Sequence, residues 1–572
     1  MEANKYKRLP YGNSNFESVI MDNYAYVDKT HFIELLEREN NKYLFFTRSR
    51  KFGKSLFFSM LSHYYDINSA GKFEQLFGDL YIGKHPTPKH NSMVVLNLDF
   101  SGLDTGSEEY FRISFIGNIR QSVLTCLEDH EDCIPNVREF IQECKGQQSI
   151  AEMINIAFRA AMSAGCKVFV IIDEYDHFAN DLIALGTGSG DDTYRKIIRA
   201  NGLVRDFYET LKKGSKTAID RIILTGITPI MLDDLTSGFN ISNNLSLKEQ
   251  YNEMLGFTQD EVNWLMEVGG VDKSLIDIDM EFYYNGYLFH EKGEHRVYNP
   301  SMMLYYFDMV TTTKGGTKYT IDDNLKTDYG RLRTLIANGK NSEQLLKITE
   351  DNHILSTINP KFSIDELHNS ENFVSLLYYM GLLTIEKSEY GRIWLKIPNY
   401  SIHTVYWEYI LRMTRDSSKD IMIDPGRQMD AMSDFAYLGD PKPFLDYMSE
   451  NIISRLSNRD LENFDEKYLK IILLNSLFQS SLFIPITEME VSAGYTDIWL
   501  KRSHLFPDIP WEWVWEIKYV KKSNVKSIEA KRDEARAQLE KYRNSHLFAG
   551  RTDVRYLSVI FIGKDKYEII EN

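Results

Sequence analysis

The sequence has little of what marks a secreted, membrane-spanning or DNA-coating protein. Four cysteines occur in 572 residues, Cys126, Cys133, Cys144 and Cys166. None forms a CxxC pair and no histidine cluster stands at zinc-ligand spacing, which argues against a zinc module. The thiols read as reduced ones of a cytoplasmic protein. The opening MEANKYKRLP has no apolar stretch of signal-peptide type. The longest apolar runs, such as Val168–Ile172, fall far short of the roughly 20 residues that a membrane span needs. Cytoplasmic localisation without a membrane partner is therefore expected. Basic excess is lacking too: 66 Lys and Arg stand against 82 Asp and Glu, a formal net charge of −16. Any nucleic-acid contact must then be local. Low-complexity tracts and internal repeats are also missing.

What is present is an ordinary globular balance, 43% apolar and 26% charged, rich in Tyr and Phe. Single cores stop growing near ~250–300 residues, so several domains are expected. One local basic stretch runs from Lys518 to Arg532, with Arg536 and Lys541 beyond it. Interspersed Glu529, Asp533 and Glu534 make a solvated face the plain alternative.

Short apolar strands alternate with helical stretches in the first half: Tyr43–Thr47, Met93–Phe100, Val168–Ile172 and Arg221–Thr225. Continuous apolar strands separated by helices predict a parallel sheet covered on both faces. Residues 256–413 read as mainly helical, with Thr258 as an N-cap. The amphipathic stretch Glu371–Gly381 and a hairpin over Leu382–Lys387 and Arg392–Ile397 suggest a winged-helix-like module. The polar segment Thr414–Pro425 reads as a linker, with a turn at Pro425-Gly426. Beyond it come helices through Ser480, two strands, and an amphipathic helix from about Val525 to Asn544.

The segment FFTRSRKFGKSLFF, Phe45 to Phe58, places an apolar strand, a loop ending Gly53-Lys54-Ser55 and an apolar helix in the order a P-loop requires. Backbone N–H groups at the helix start would cradle phosphates. Lys54 would reach the β- and γ-phosphates of ATP and the Ser55 hydroxyl would bind Mg²⁺. Arg50, Phe52, Gly53, Lys54, Ser55 and Leu56 are the expected nucleotide contacts. Arg48 occupies the place of the usual first glycine. The second element is KVFVIIDEYDHF, an apolar strand ending in Asp173 and Glu174. Asp173 would hold Mg²⁺ and Glu174 would orient the attacking water. The bland alternative is a buried strand ending in solvated acids; the order of the two motifs, about 120 residues apart, favours the nucleotide site. Asp176 and His177 are less telling, with His177 weighted to a structural role. Thr225, before Gly226 at the end of the next strand, is placed to sense a γ-phosphate.

These segments, with Tyr26–Thr30 (YVDKT), LGFTQDEV, NGY at Asn285–Tyr287 and YNPS at Tyr298–Ser301, resemble the AAA-ATPase-like family, which carries a C-terminal nuclease-like domain. The resemblance covers nearly the whole chain. It implies that the missing first glycine is a family trait, since the family loop usually reads RPRRFGKSL; here Ser49 replaces the Pro and Lys51 an Arg. It also implies that Arg48 and Arg50 are habitual, their charge available to phosphate oxygens or to surface acids.

A second constellation lies near the C-terminus. In WEWVWEIKYV, Trp511 to Val520, alternation puts Glu516 and Lys518 on one strand face and Trp515, Ile517 and Tyr519 on the other. Asp497, in GYTDIWL, would sit beside Glu516 if the two strands pair. Two carboxylates bind Mg²⁺, and a Lys orients the attacking water or stabilises developing charge. A half-buried edge strand is the bland reading of the same alternation. Asp497, Glu516 and Lys518 resemble the three motif positions of the PD-(D/E)xK nuclease core. Gln538 and Tyr542 match its QxxxY, and Glu466 is a candidate extra acid.

The expectation is an α/β chain: a P-loop NTPase parallel sheet at 1–255, a mainly helical winged-helix-like region at 256–413, and an α/β PD-(D/E)xK nuclease-like domain at 426–572. Its cofactors would be ATP and Mg²⁺, with Ser55, Asp173, Asp497 and Glu516 as metal ligands. Its partner would be nucleic acid, DNA before RNA, with a homo-oligomer left open. Glu174, Asp497, Glu516, Lys518 and Gln538 would carry the chemistry. The alternative is an ATPase switch whose nuclease-like domain only binds nucleic acid or recruits a protein.

Overall fold

A computed structural model describes residues 6–184, 202–230, 243–314, 322, 341–417, 424–455, 466–491, 494–564 and 566–571. The chain divides into two compact units, one drawn mainly from residues up to Asn399 and the other mainly from Tyr400 onward.

The first unit is built on five parallel strands, β1 (Tyr43–Thr47), β2 (Met93–Asp99), β3 (Lys167–Asp173), β4 (Ile219–Gly226) and β5 (Asn243–Asn244), in the order β2-β3-β4-β1-β5. All five residues of β1 are buried, as are Val168–Ile172 of β3. That is the pattern of a sheet covered on both faces. One face packs under α2 (Glu108–Asp129), α3 (Ile150–Ser163) and α5 (Leu203–Gly214), through Leu96, Val170, Ile222, Phe115, Ile154 and Phe207. The other carries α1 (Lys54–Tyr65). Each such side chain, fully buried, contributes about 1.5–3 kcal/mol. Helix α4 (His177–Ala184) follows the acidic end of β3. Because the strands are parallel, the loops after β1, β3 and β4 leave from one edge, where ligands bind in such sheets.

In the same unit, α6 (Gln259–Gly269) opens on a full capping box between Thr258 and Glu261, and α7 (Pro300–Thr313) is capped by Asn299. Helix α8 (Ser370–Tyr379) is followed by the antiparallel pair β6 (Thr384–Glu389) and β7 (Arg392–Lys396). The helix-then-hairpin order read from the sequence is present.

The second unit begins with α9 (Tyr400–Ser417), α10 (Pro425–Ser433), α11 (Lys442–Asn451) and α12 (Glu466–Ser480). Five strands follow: β8 (Phe483–Val491), β9 (Gly494–Arg502), β10 (Glu512–Val520), β11 (Val554–Ile562) and β12 (Lys566–Glu571), in the order β12-β11-β10-β9-β8. Helix α13 (Ile528–Arg543) crosses between β10 and β11, which pair in parallel. Trp513, Trp515 and Ile517 pack with Phe435 and Phe444 on one face, while Val514 meets Leu539 and Tyr542 of α13 on the other.

Two readings change. Two strands were expected in this unit before the last helix and three are present; β8 was missed because Pro485 interrupts its pattern. β8 is an edge strand of the sheet, where proline is tolerated. The linker expected at Thr414–Pro425 is not a continuous irregular segment: Thr414–Ser417 extend α9 and Pro425 opens α10, while residues 418–423 lie outside the described residues. Packing divides the chain at Asn399 and Tyr400 instead. Among the described residues no helix is long and apolar enough to cross a membrane.

Candidate nucleotide and nuclease sites

The loop from Arg48 to Gly53 takes the left-handed backbone at Lys51 (φ 67°) and again at Gly53 (φ 86°), just before α1. Glycine makes the second of these turns without steric cost. Lys54 is buried, and its Nζ donates to the carbonyls of Arg48 (2.9 Å) and Ser49 (3.1 Å). Burial pulls its ammonium below the ordinary value, so an anion would be a favourable new partner. Ser55 Oγ donates to Asp173 Oδ2 at 2.8 Å. Burial raises the Asp173 carboxyl, against the opposing pull of Ser55 and Lys54. The hydroxyl and carboxylate that would share a Mg²⁺ are thus already adjacent.

A cavity of about 600 Å³ opens on this loop. Arg50, Phe52, Gly53, Lys54, Ser55, Leu56, Glu174 and His177 line it. Its apolar wall comes from Tyr26, Val27, Met254, Leu255, Phe257, Leu265 and Leu304. A phosphate-binding loop at one side and an apolar wall at the other suit a nucleoside triphosphate. The Phe52 ring packs on Tyr287 and Phe289, so only its backbone is offered to a ligand. Thr225 stands apart from these residues: its hydroxyl is buried, does not line the cavity, and has no hydrogen-bond partner among the described residues.

Three residues near the loop are structural. Arg48 is buried, donates to the carbonyls of Thr47, Ser246 and Tyr251, and lies over the Phe289 ring at 3.8 Å. Its charge is spent inside the fold and does not face phosphate. Asp176 accepts from the backbone N–H groups of Ile227 and Thr228 and from the Thr228 hydroxyl, fixing the chain after β4. Lys29 pairs with Glu261 at 2.6 Å, tying the YVDKT segment to the first turn of α6.

In the second unit, β9 and β10 run antiparallel with Ile498 opposite Trp515. This register sets Asp497 beside Glu516, and Asp497 Oδ2 accepts the Ile517 N–H at 2.8 Å. Lys518 Nζ is buried and ringed by three carboxylates: Glu516 (2.7 Å), Glu466 (3.1 Å) and Glu534 (3.3 Å). Burial disfavours its charge, but Glu516 and Glu466 raise its ammonium above the ordinary value. Burial, reinforced by Asp497, pushes Glu516 up to about 7. Gln538 donates to the Tyr542 hydroxyl at 3.1 Å, and Tyr542 donates to Glu516 Oε2 at 2.5 Å. Gln538 therefore acts on Glu516 through Tyr542.

Sequence reasoning missed Lys470, one turn after Glu466 on α12, whose buried Nζ stands 3.6 Å from Asp497 Oδ1. The i, i+4 spacing from Glu466 was the available signal. Among the described residues no group of three or more His, Cys, Asp and Glu side chains forms a metal cluster. A pair of carboxylates is nonetheless enough for Mg²⁺, which keeps several waters.

Residues 10–236 match the model of the predicted AAA-ATPases, and residues 464–571 match that of the PD-(D/E)XK nuclease superfamily. A curated relative, an uncharacterized protein from the vnfD 5′ region of Azotobacter chroococcum mcd 1, is 28% identical over 313 residues, 53% of this chain and 52% of that protein. The chain thus spans about half the length of this relative. Among solved structures, a Walker-type ATPase of Pyrococcus abyssi is 13% identical with a TM-score of 0.38, covering 71% of this chain and 99% of its own. The ORC1 protein of Aeropyrum pernix, in complex with DNA, is 8% identical with a TM-score of 0.24, covering 70% and 98%.

Proposed function

From a chain that joins an AAA-ATPase-like domain to a domain of the PD-(D/E)XK nuclease superfamily, we propose an ATP-hydrolysing protein whose C-terminal domain cuts nucleic acid with Mg²⁺, DNA before RNA. The observation that carries the first half is the pairing of Ser55 with Asp173, beside a buried Lys54 at the mouth of the cavity. Lys54 exchanges its carbonyl partners for β- and γ-phosphate oxygens, Ser55 and Asp173 would hold the cation, and Glu174 orients the attacking water and takes its proton. Mg²⁺ bound there supplies charge neutralisation for the triphosphate.

The second half rests on Asp497, Glu516 and Lys518 sharing one strand-pair face. Asp497 and Glu516 would hold the cation, and Mg²⁺ there would polarise the scissile phosphate and acidify a water. Lys518 stabilises charge developing on the phosphate. Tyr542, held by Gln538, fixes the orientation of Glu516.

Nuclease and ATPase assays on the full chain, with and without ATP and Mg²⁺, test this reading. Asp497→Ala and Lys518→Ala should each abolish cleavage and leave ATP hydrolysis largely intact. A wild-type chain that hydrolyses ATP but never cleaves DNA or RNA, in any nucleotide state, would make the C-terminal domain a binding module.

A further inference from the structure

We propose that His177 is the positioning residue for Glu174, holding its carboxylate for the attacking water, with Asp181 aligning the imidazole from the far side; the inference rests on the ATPase reading above. Glu174 follows β3 directly and takes a left-handed backbone, φ 49°, uncommon for a residue with a long side chain. Such a conformation is strained and persists only where its surroundings enforce it. Here the next N–H, of Tyr175, is bonded to the Thr225 carbonyl at 3.0 Å, and the Glu174 carbonyl accepts the His177 N–H at 3.0 Å. The turn throws the Glu174 side chain back onto the first residue of α4. His177 Nδ1 lies 2.7 Å from Glu174 Oε2, and His177 Nε2 lies 3.4 Å from Asp181 Oδ2.

The spacing on α4 explains the set. His177 and Asp181 are one turn apart on α4 and share a face, and the turn at Glu174 brings its side chain to the N-terminal end of that face. The imidazole is mostly buried, with 16% of its side chain exposed, yet it lines the same cavity as Lys54, Arg50 and Glu174. A glutamate on a turned backbone otherwise has three side-chain torsions to settle. The close approach of His177 Nδ1 to Oε2 restricts that freedom. The nearby cations Lys54 and Arg50 attract the carboxylate as well, but as point attractions from the P-loop side they do not select one oxygen.

Steady-state hydrolysis and ATP affinity of the full chain test this in His177→Ala and His177→Gln, each also built on Glu174→Gln. His177→Ala should lower kcat about tenfold or more, since misplacing a catalytic group by ~1 Å costs on that scale. KM and ATP affinity should stay within about twofold, the mark of a lost transition-state interaction. His177→Gln, whose amide N–H reaches toward the same oxygen, should recover most of kcat. On Glu174→Gln, His177→Ala should have no further effect. A His177→Ala chain as fast as wild type or faster, an equal loss in the Glu174→Gln background, or a matching loss of ATP affinity would each overturn the proposal. If His177→Ala does not fold, Asp181→Asn replaces it: several-fold lower kcat at unchanged KM is expected, and unchanged kcat overturns it. A wild-type chain without ATPase activity would instead sink the underlying reading.

Discussion

Tyr542 and Glu516, 26 residues apart, meet at 2.5 Å through a phenol hydroxyl donated to a buried carboxylate. The contact joins the QxxxY of α13 to the acidic strand β10. It also helps a carboxyl group survive on a face where burial and Asp497 push it up to about 7.

That shift predicts a pH dependence. Below the ordinary value of 4.5, Glu516 is protonated whether the chain is folded or not. Between 4.5 and about 7 the unfolded chain releases this proton while the folded one keeps it. The contribution of Glu516 to stability is therefore highest below that window and falls as pH rises through it. Mg²⁺ needs the ionised carboxylate, so its affinity should rise over the same range. Glu516→Gln should flatten both trends, as read by thermal unfolding and Mg²⁺ titration between pH 4 and 8. A Glu516→Gln chain with wild-type pH dependence of Mg²⁺ binding would count against this assignment.

His130, at the end of α2, follows the same sign over a higher pH window. Its buried ring bonds Asp66 Oδ1 at 2.7 Å and the Cys126 carbonyl at 2.6 Å. Burial disfavours the charged ring, but the Asp66 carboxylate and the Cys126 side chain outweigh it and raise His130 to about 11. A raised base stabilises fully below its unfolded value of 6.5 and loses that contribution as pH rises toward 11. His130→Gln should cost roughly 1–3 kcal/mol at neutral pH, with a shrinking difference from wild type at alkaline pH. Chemical denaturation of the two chains at pH 7 and pH 10 makes the comparison.

Gly226 closes β4 beside the acidic end of β3. A Cβ there would run into Asp176 Oδ1 and the Tyr175 ring, both rigidly held. Gly226→Ala should lower thermal stability and slow ATP hydrolysis together, because the clash displaces the segment that carries Glu174. Undiminished turnover would show that the β4 end is free to move.

Much of this was legible in the sequence because the signals were local. YLFFT, MVVLNLDF, VFVII and RIILT are continuous apolar runs and became four adjacent strands. Glu516 and Lys518 share a face because alternation on a strand permits nothing else. What escaped depended on distant partners. Arg48 sits in the phosphate loop by sequence, yet carbonyls of Ser246 and Tyr251, some 200 positions on, claim its guanidinium. Lys470 looked like one more helix lysine until the fold set it by Asp497. The segment 414–426 looked polar enough for a linker, but its first residues continue an amphipathic helix.

The most direct measurement is Mg²⁺-dependent ATP hydrolysis by the full chain beside Lys54→Ala and Glu174→Gln. Lys54→Ala should lose ATP binding and turnover together, because it removes the ammonium placed for the β- and γ-phosphates. Glu174→Gln should still bind ATP and hydrolyse it slowly. Turnover undiminished in Lys54→Ala would contradict the nucleotide site, and with it the account built on Ser55, Asp173 and Glu174.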